Sequence, residues 1–143
     1  MKTSKVGIIA ALATICLLMA NLSYAQITVS GSNGKDNTYT SLTKATGAFA
    51  ALNLITQVGK TITITITADV TDEDGATALT GAAGMWTTLT INPSGGAARI
   101  ISGSVAKPLI DLSGADYVTI NGLNSGGNSL TISNLSTSNT DAT

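Results

Sequence analysis

Between Thr61 and Thr67 the chain reads TITITIT, two β-branched residue types alternating without a break. Side chains alternate faces along a strand, so Ile62, Ile64 and Ile66 share one face and Thr61, Thr63, Thr65 and Thr67 the other. The isoleucine face requires a core. Threonine can face water and still favour the strand, because its β-branch suits the pleat. Further on, TLTIN, ARIISG, PLIDLSG, YVTINGL and LTISNL are short apolar runs separated by Gly, Ser, Asn and Asp, and each predicts another strand. Upstream, QITVSGSNGKDNTYT over 26–40 reads as an edge strand followed by a loop. In SLTKATGAFAALNLI the residues Leu42, Ala45, Phe49, Leu52 and Ile55 recur at three- and four-residue steps. That period predicts one amphipathic helix, N-capped by Thr40 or Ser41 and weakened at Gly47.

The isoleucines Ile91, Ile101, Ile110, Ile120 and Ile132 are 10, 9, 10 and 12 residues apart, so alternate members lie 19 to 22 apart. A coil of about 20 residues would stack like over like, as in a solenoid whose rungs bury one another. Even strand spacing alone also fits a β-sandwich. The similar tetrads Leu89-Thr90-Ile91-Asn92, Val118-Thr119-Ile120-Asn121 and Leu130-Thr131-Ile132-Ser133 favour the solenoid. On that reading Ile91, Ile110, Ile120 and Ile132 point inward.

The start of the chain, MKTSKVGIIAALATICLLMANLSYAQ, changes the picture of where the protein works. Lys2 and Lys5 precede an apolar run from Val6 to Ala20, and Ser23-Tyr24-Ala25 is a small-x-small site, the pattern of a secretory signal peptide cleaved after Ala25. The run is shorter than the roughly 18 residues of a membrane-spanning helix, and Cys16 leaves with it. The expected organisation is a signal peptide over 1–25, a strand, loop and capping helix over 26–60, and β-coils over 61–143. Residues 26–143 number 118, with eight acids and five bases for a formal charge of −3, and contain neither Cys nor His. Disulfides, thiolate nucleophiles, the usual zinc ligands and imidazole mechanisms are thereby excluded. Five scattered bases form no patch for a phosphate backbone, which argues against a nucleic-acid partner. No membrane partner is expected once the signal is removed.

The helix around Tyr39-Thr40-Ser41-Leu42, the Thr/Ile strand, INPSGGAARIISG, KPLIDLSGADYVTINGL and LTISN follow one another in an order that resembles the start of right-handed parallel β-helix domains of the pectate-lyase-like type. More narrowly, it resembles those in large exported proteins of Gram-negative bacteria that use type IX secretion. The resemblance runs from Thr38 to the C-terminus. It implies a mainly β chain, a parallel β-helix with the helix at Leu42 to Ile55 capping its N-terminal end. The stack is expected to be incomplete, because the polar tail NLSTSNTDAT supplies no second lid and further coils of the same β-helix are expected downstream. The family includes lyases, hydrolases, adhesins and proteins of unknown role, so the resemblance carries no activity with it.

Several groups invite a functional reading. The acids Asp69, Asp72, Glu73 and Asp74 form either a solvated turn or a calcium site, although they lack the spacing of a helical calcium loop. Polysaccharide cleavage needs paired carboxylates or an acid set with a base, and Asp111, Asp116, Arg99 and Lys107 are the groups on offer. They match no catalytic motif. Asn92, Asn121 and, less clearly, Asn134 follow strand tips and suit internal amide ladders whose side chains bond backbone groups of the turn below. Trp86, Tyr39 and Tyr117 are too scattered for a sugar platform, and Trp86 reads as a packing plug. No residue is therefore assigned a catalytic, cofactor-binding or metal-ligating role, and no cofactor is expected. The favoured function is an exported structural or adhesive β-helical surface module without activity of its own, which meets a surface polysaccharide or another cell-surface partner. The alternative is the N-terminal part of a polysaccharide lyase or glycoside hydrolase. An ice-binding protein ranks third and no ice activity is expected, since the later runs offer Thr90, Thr119 and Thr131 as single outward threonines beside Asn or Ser.

Overall fold

The computed structural model describes residues 24–94, 96–122 and 129–138. The expected signal peptide lies outside the described residues except for Tyr24 and Ala25. Among the described residues no helix is long and apolar enough to cross a membrane.

The chain is mainly β. Among the described residues its strands are β1 (Ile27–Ser30), β2 (Asn37–Tyr39), β3 (Thr61–Ile66), β4 (Thr88–Pro93), β5 (Ala98–Gly103), β6 (Val118–Ile120) and β7 (Ser129–Asn134), with one six-residue helix, α1 (Ala48–Asn53). Five strands form a sheet in the order β2-β1-β3-β4-β6, and β5 pairs with β7 in a second, two-stranded sheet. β3, β4 and β6 are parallel, with Ile64 beside Ile91 and Ile91 beside Ile120. β1 is antiparallel to both β2 and β3.

These findings correct the expected fold. Among the described residues the main sheet is mixed, the second sheet has two strands, and a right-handed parallel β-helix of stacked coils is not formed. The inferred coil length also fails. Thr61 lies beside Thr88, 27 residues on; Ile91 beside Ile120, 29 on; and Ile101 beside Ile132, 31 on. The segment PLIDLSG, counted as a strand, is irregular: Pro108 has no N–H to give a ladder, Gly114 turns the chain at φ 77°, and Asp111 lends its carbonyl to Leu79 N–H at 2.8 Å. Ile110 belongs to this loop and is half-buried against the core.

The N-terminal segment departs from expectation too. β1 is an interior strand, and it is β2 that forms the sheet edge. The helix expected from Leu42 to Ile55 shrinks to Ala48–Asn53, with extended Gly47 (ψ 179°) as its N-cap. Phe49 and Leu52 are buried in it, whereas Ile55 is exposed beyond its end. Leu42 is buried as well, from a turn rather than from a helix.

The core lies against the inner faces of β1, β3 and β4. Ile27, Val29, Ile62, Ile64, Ile66, Leu89 and Ile91 are buried there with Phe49, Leu52 and Trp86. Ile120 and Ile132 correct the inward assignment. Each occupies the register position of a buried neighbour, Ile91 and Ile101, yet they are 38 % and 41 % exposed. The reason is that β6 and β7 are edge strands, each with one pairing partner among the described residues.

The difference is measurable by urea denaturation. Ile91→Ala is expected to cost about 2–5 kcal/mol, the range for deleting a fully buried isoleucine, and Ile120→Ala under about 2 kcal/mol. Equal losses at the two positions would contradict the edge placement of β6.

Candidate functional site

The acidic stretch after β3 is the densest cluster of candidate chemistry, and the structure sends its four carboxylates to four different places. Asp69 Oδ1 accepts from Ile100 N–H at 3.1 Å. Asp72 pairs with Lys44 across the partly exposed surface. Asp74 Oδ1 accepts from Ala76 N–H at 2.9 Å, a local Asx-type turn. Glu73 turns inward and is 2 % exposed. The stretch is therefore neither a wholly solvated turn nor a converging cation site, and no group of three or more potential ligands assembles among the described residues.

Glu73 is the buried acid that sequence reasoning missed. Its Oε2 accepts from the Ser41 hydroxyl at 2.7 Å, the Thr43 hydroxyl at 2.5 Å and Thr43 N–H at 2.8 Å, and its Oε1 accepts from Leu42 N–H at 2.5 Å. A buried carboxylate without partners would be costly, and four donors replace the water it lost. The surrounding bonds lock the same junction. Thr43 Oγ1 accepts from Gly75 N–H at 3.0 Å, Thr77 N–H donates to Thr43 O at 2.7 Å, and Glu73 N–H donates to Ser102 O at 3.0 Å. Gly103 is needed where β5 passes, since a Cβ there would lie 2.0 Å from Glu73 O. Two N–H groups and two hydroxyls make an anion-binding cradle, and the chain's own carboxylate fills it. What this arrangement does chemically is to hold the 41–43 turn against the 73–75 turn. Only the one extra methylene of Glu73 distinguishes it in the sequence from its aspartate neighbours.

The residues considered for sugar cleavage are not brought together. Asp111 and Asp116 are exposed and contribute backbone oxygens, to Leu79 N–H and to Trp86 Nε1–H at 3.0 Å. Arg99 lies on β5, where its guanidinium donates to the Ala98 carbonyl at 3.5 Å, and Lys107 is exposed in the loop after β5. No hydrogen bond or ion pair links these four side chains among the described residues. No pocket opens among the described residues either.

Trp86 is a buried plug, tied by its indole N–H, and the neighbouring Met85 Sδ accepts from Asp116 N–H at 3.3 Å. Tyr117 is exposed with φ 55°, an uncommon conformation for a residue with a side chain. Tyr39 is half-buried against the core and donates its hydroxyl to Lys35 O at 2.9 Å. Burial, and secondly the Asp36 charge, push its phenol above the ordinary value. The asparagines also separate. Asn134 bonds the Val105 and Lys107 carbonyls at 2.8 and 3.1 Å and accepts from Val105 N–H, as a clamp on a neighbouring turn, whereas Asn92 Nδ2 bonds only locally, to Pro93 O at 3.3 Å. Among the described residues no hydrogen bond joins the Asn92 and Asn134 side chains.

Asp36 organises the β1–β2 connection. It accepts from the Ser32 hydroxyl at 2.6 Å, Ser32 N–H at 2.7 Å and Gly31 N–H at 3.1 Å. Those bonds, the Ser32 hydroxyl first, hold its carboxyl below the usual carboxylate value.

Comparisons with protein-family models, curated proteins and solved structures found no match, so the chain's resemblance to pectate-lyase-like domains gains no support from a relative.

Two acids give contrasting expectations. Glu73→Ala strands buried donors at about 1–3 kcal/mol for each that water cannot reach, so a loss of several kcal/mol is expected in urea denaturation. Asp72→Asn breaks a partly exposed pair worth under about 1 kcal/mol. A mild Glu73→Ala would show that water enters the junction. For Asp36 the test is pH. A folded-state pKa below the ordinary 3.8 means that its stabilisation is present above that value and is lost as pH falls through the depressed folded value. The stability gap between wild type and Asp36→Ala should accordingly narrow below pH 3.8 in acid titrations followed by circular dichroism. A gap that widens there would reverse the assignment.

Proposed function

We propose that the chain is an exported structural or adhesive surface module without catalytic activity of its own. The observation that carries this reading is the use the fold makes of its chemically capable groups. The carboxylates of Glu73, Asp69 and Asp74 each bond backbone of the chain itself, Asp72 pairs with Lys44, and Asp111 and Asp116 stand exposed without converging on the other acids. Export rests on the basic, apolar and small-residue pattern of 1–25. The partners of such a module are a cell-surface component, a polysaccharide among them, and further strands added along the outer edge of β6. That edge has no strand partner among the described residues, and such an edge offers N–H and C=O groups to an incoming strand. Ile120 and Tyr117 add exposed apolar surface beside it.

Fractionation of expressing cells, followed by N-terminal sequencing, tests the reading at its first step. The expected product is a chain beginning at Gln26 in the released or surface fraction. A chain retained inside the cell with Met1 intact would overturn it.

A further inference from the structure

The pairing that aligns the core isoleucines also aligns what lies on the opposite face. Thr63 is beside Thr90 and Thr90 beside Thr119, while on its other side Thr63 is beside Ser30. A second row runs Thr38, Thr28, Thr65, Asn92, and a third pairs Thr61 with Thr88. None of these ten residues is buried, and none carries a charge. Thr90 is thus not single, since Thr88 joins it on β4; Thr119 is the one threonine of β6 but extends the Thr63–Thr90 row, because the parallel register turns separate strands into rows.

We propose that this outer face of the five-stranded sheet binds ice. Neighbouring strands lie about 4.7–4.9 Å apart, and alternate residues along a strand about 6.5–7 Å apart. Hydroxyls on that grid come close to the repeat of oxygen atoms on a prism face of hexagonal ice. Each threonine adds a methyl beside its hydroxyl, so the face both hydrogen-bonds water and orders it around apolar groups. The absence of charge within the rows disfavours a polyanion or a lipid headgroup as occupant. The rows themselves contain no aromatic ring for a sugar to stack on, and the exposed Tyr117 just before β6 offers a single ring at their margin, short of a platform for a flat glycan. The inference concerns this face alone and does not rest on the export reading, since its test uses purified protein.

Ice grown slowly from a dilute solution of the purified chain is the probe, with protein measured in the ice and in the remaining liquid. Enrichment in ice over a non-binding protein of similar size is expected. Thr90→Lys should reduce it to the control level with the circular dichroism spectrum and melting point unchanged. Thr131→Lys, on β7 of the other sheet, should leave it intact. If Thr90→Lys fails to fold, Thr119→Lys on the exposed edge strand provides the same disruption. Partition of the wild type equal to the control overturns the proposal, as does full enrichment of a folded Thr90→Lys protein. Retention on an insoluble polysaccharide without enrichment in ice overturns it too, and gives the face to a glycan.

Discussion

The register of β3 against β4 is the constraint on which the rest of the molecule depends. Side chains on a strand repeat every two residues, so a slip by one would turn Ile62, Ile64 and Ile66 to water and Thr61, Thr63 and Thr65 to the core. In the observed register Ile62 meets Leu89 and Ile64 meets Ile91, all four buried. β1 continues the same apolar face from the other side, placing Ile27 beside Ile66 and Val29 beside Ile64. Chain direction is irrelevant to this sorting. An antiparallel neighbour can extend a parallel pair as long as its inward residues fall on the same face, and for that reason a mixed sheet is as acceptable to the core as a uniform one.

A second constraint comes from Glu73. A helix beginning at Ser41 would leave its first N–H groups without intrahelical partners. The buried carboxylate takes the N–H groups of Leu42 and Thr43 and both hydroxyls of Ser41 and Thr43. With 41–43 held in a turn, Ala48 and Phe49 direct their N–H groups to the carbonyls of Ser41 and Leu42, seven residues back, and the helix starts only after Gly47. The shortened helix and the internal anion are two consequences of one contact between the 41–43 and 73–75 turns.

The alternation in TITITIT was enough to sort Ile62, Ile64 and Ile66 from their threonines, and the scatter of Trp86, Tyr39 and Tyr117 along the chain was enough to mark Trp86 as a plug rather than part of a platform. The stacking period was not legible. Ile110 has the spacing and the neighbours of a strand residue but lies in a loop, and counting it pairs Ile91 with the wrong partner. The antiparallel direction of β1 leaves no trace in ITVS, since either direction presents Ile27 and Val29 inward. Leu42, Phe49 and Leu52 do share the core as their spacing implied, although Leu42 reaches it from a turn. In the acidic stretch, composition alone could not separate four carboxylates with four destinations. Burial of Glu73 depends on donors some thirty residues earlier, a pairing that no local pattern encodes.

In-register parallel strands also restrict what the outer face can be made of. Identical positions sit beside one another about 4.8 Å apart, so a charged residue repeated along the rows would face its own kind and destabilise the sheet. A long flexible polar side chain would lose rotamer freedom in each strand it crossed. Threonine avoids both costs: it is neutral, short, and already stiff at χ1 in the conformation a strand requires. Rows such as Thr63, Thr90 and Thr119 therefore arise from the same register that stacks Ile64, Ile91 and Ile120, one residue further along on the opposite face. Hydroxyl order on the outside is a geometric companion of apolar order on the inside, and any ligand the face recognises meets a spacing that was fixed by the core.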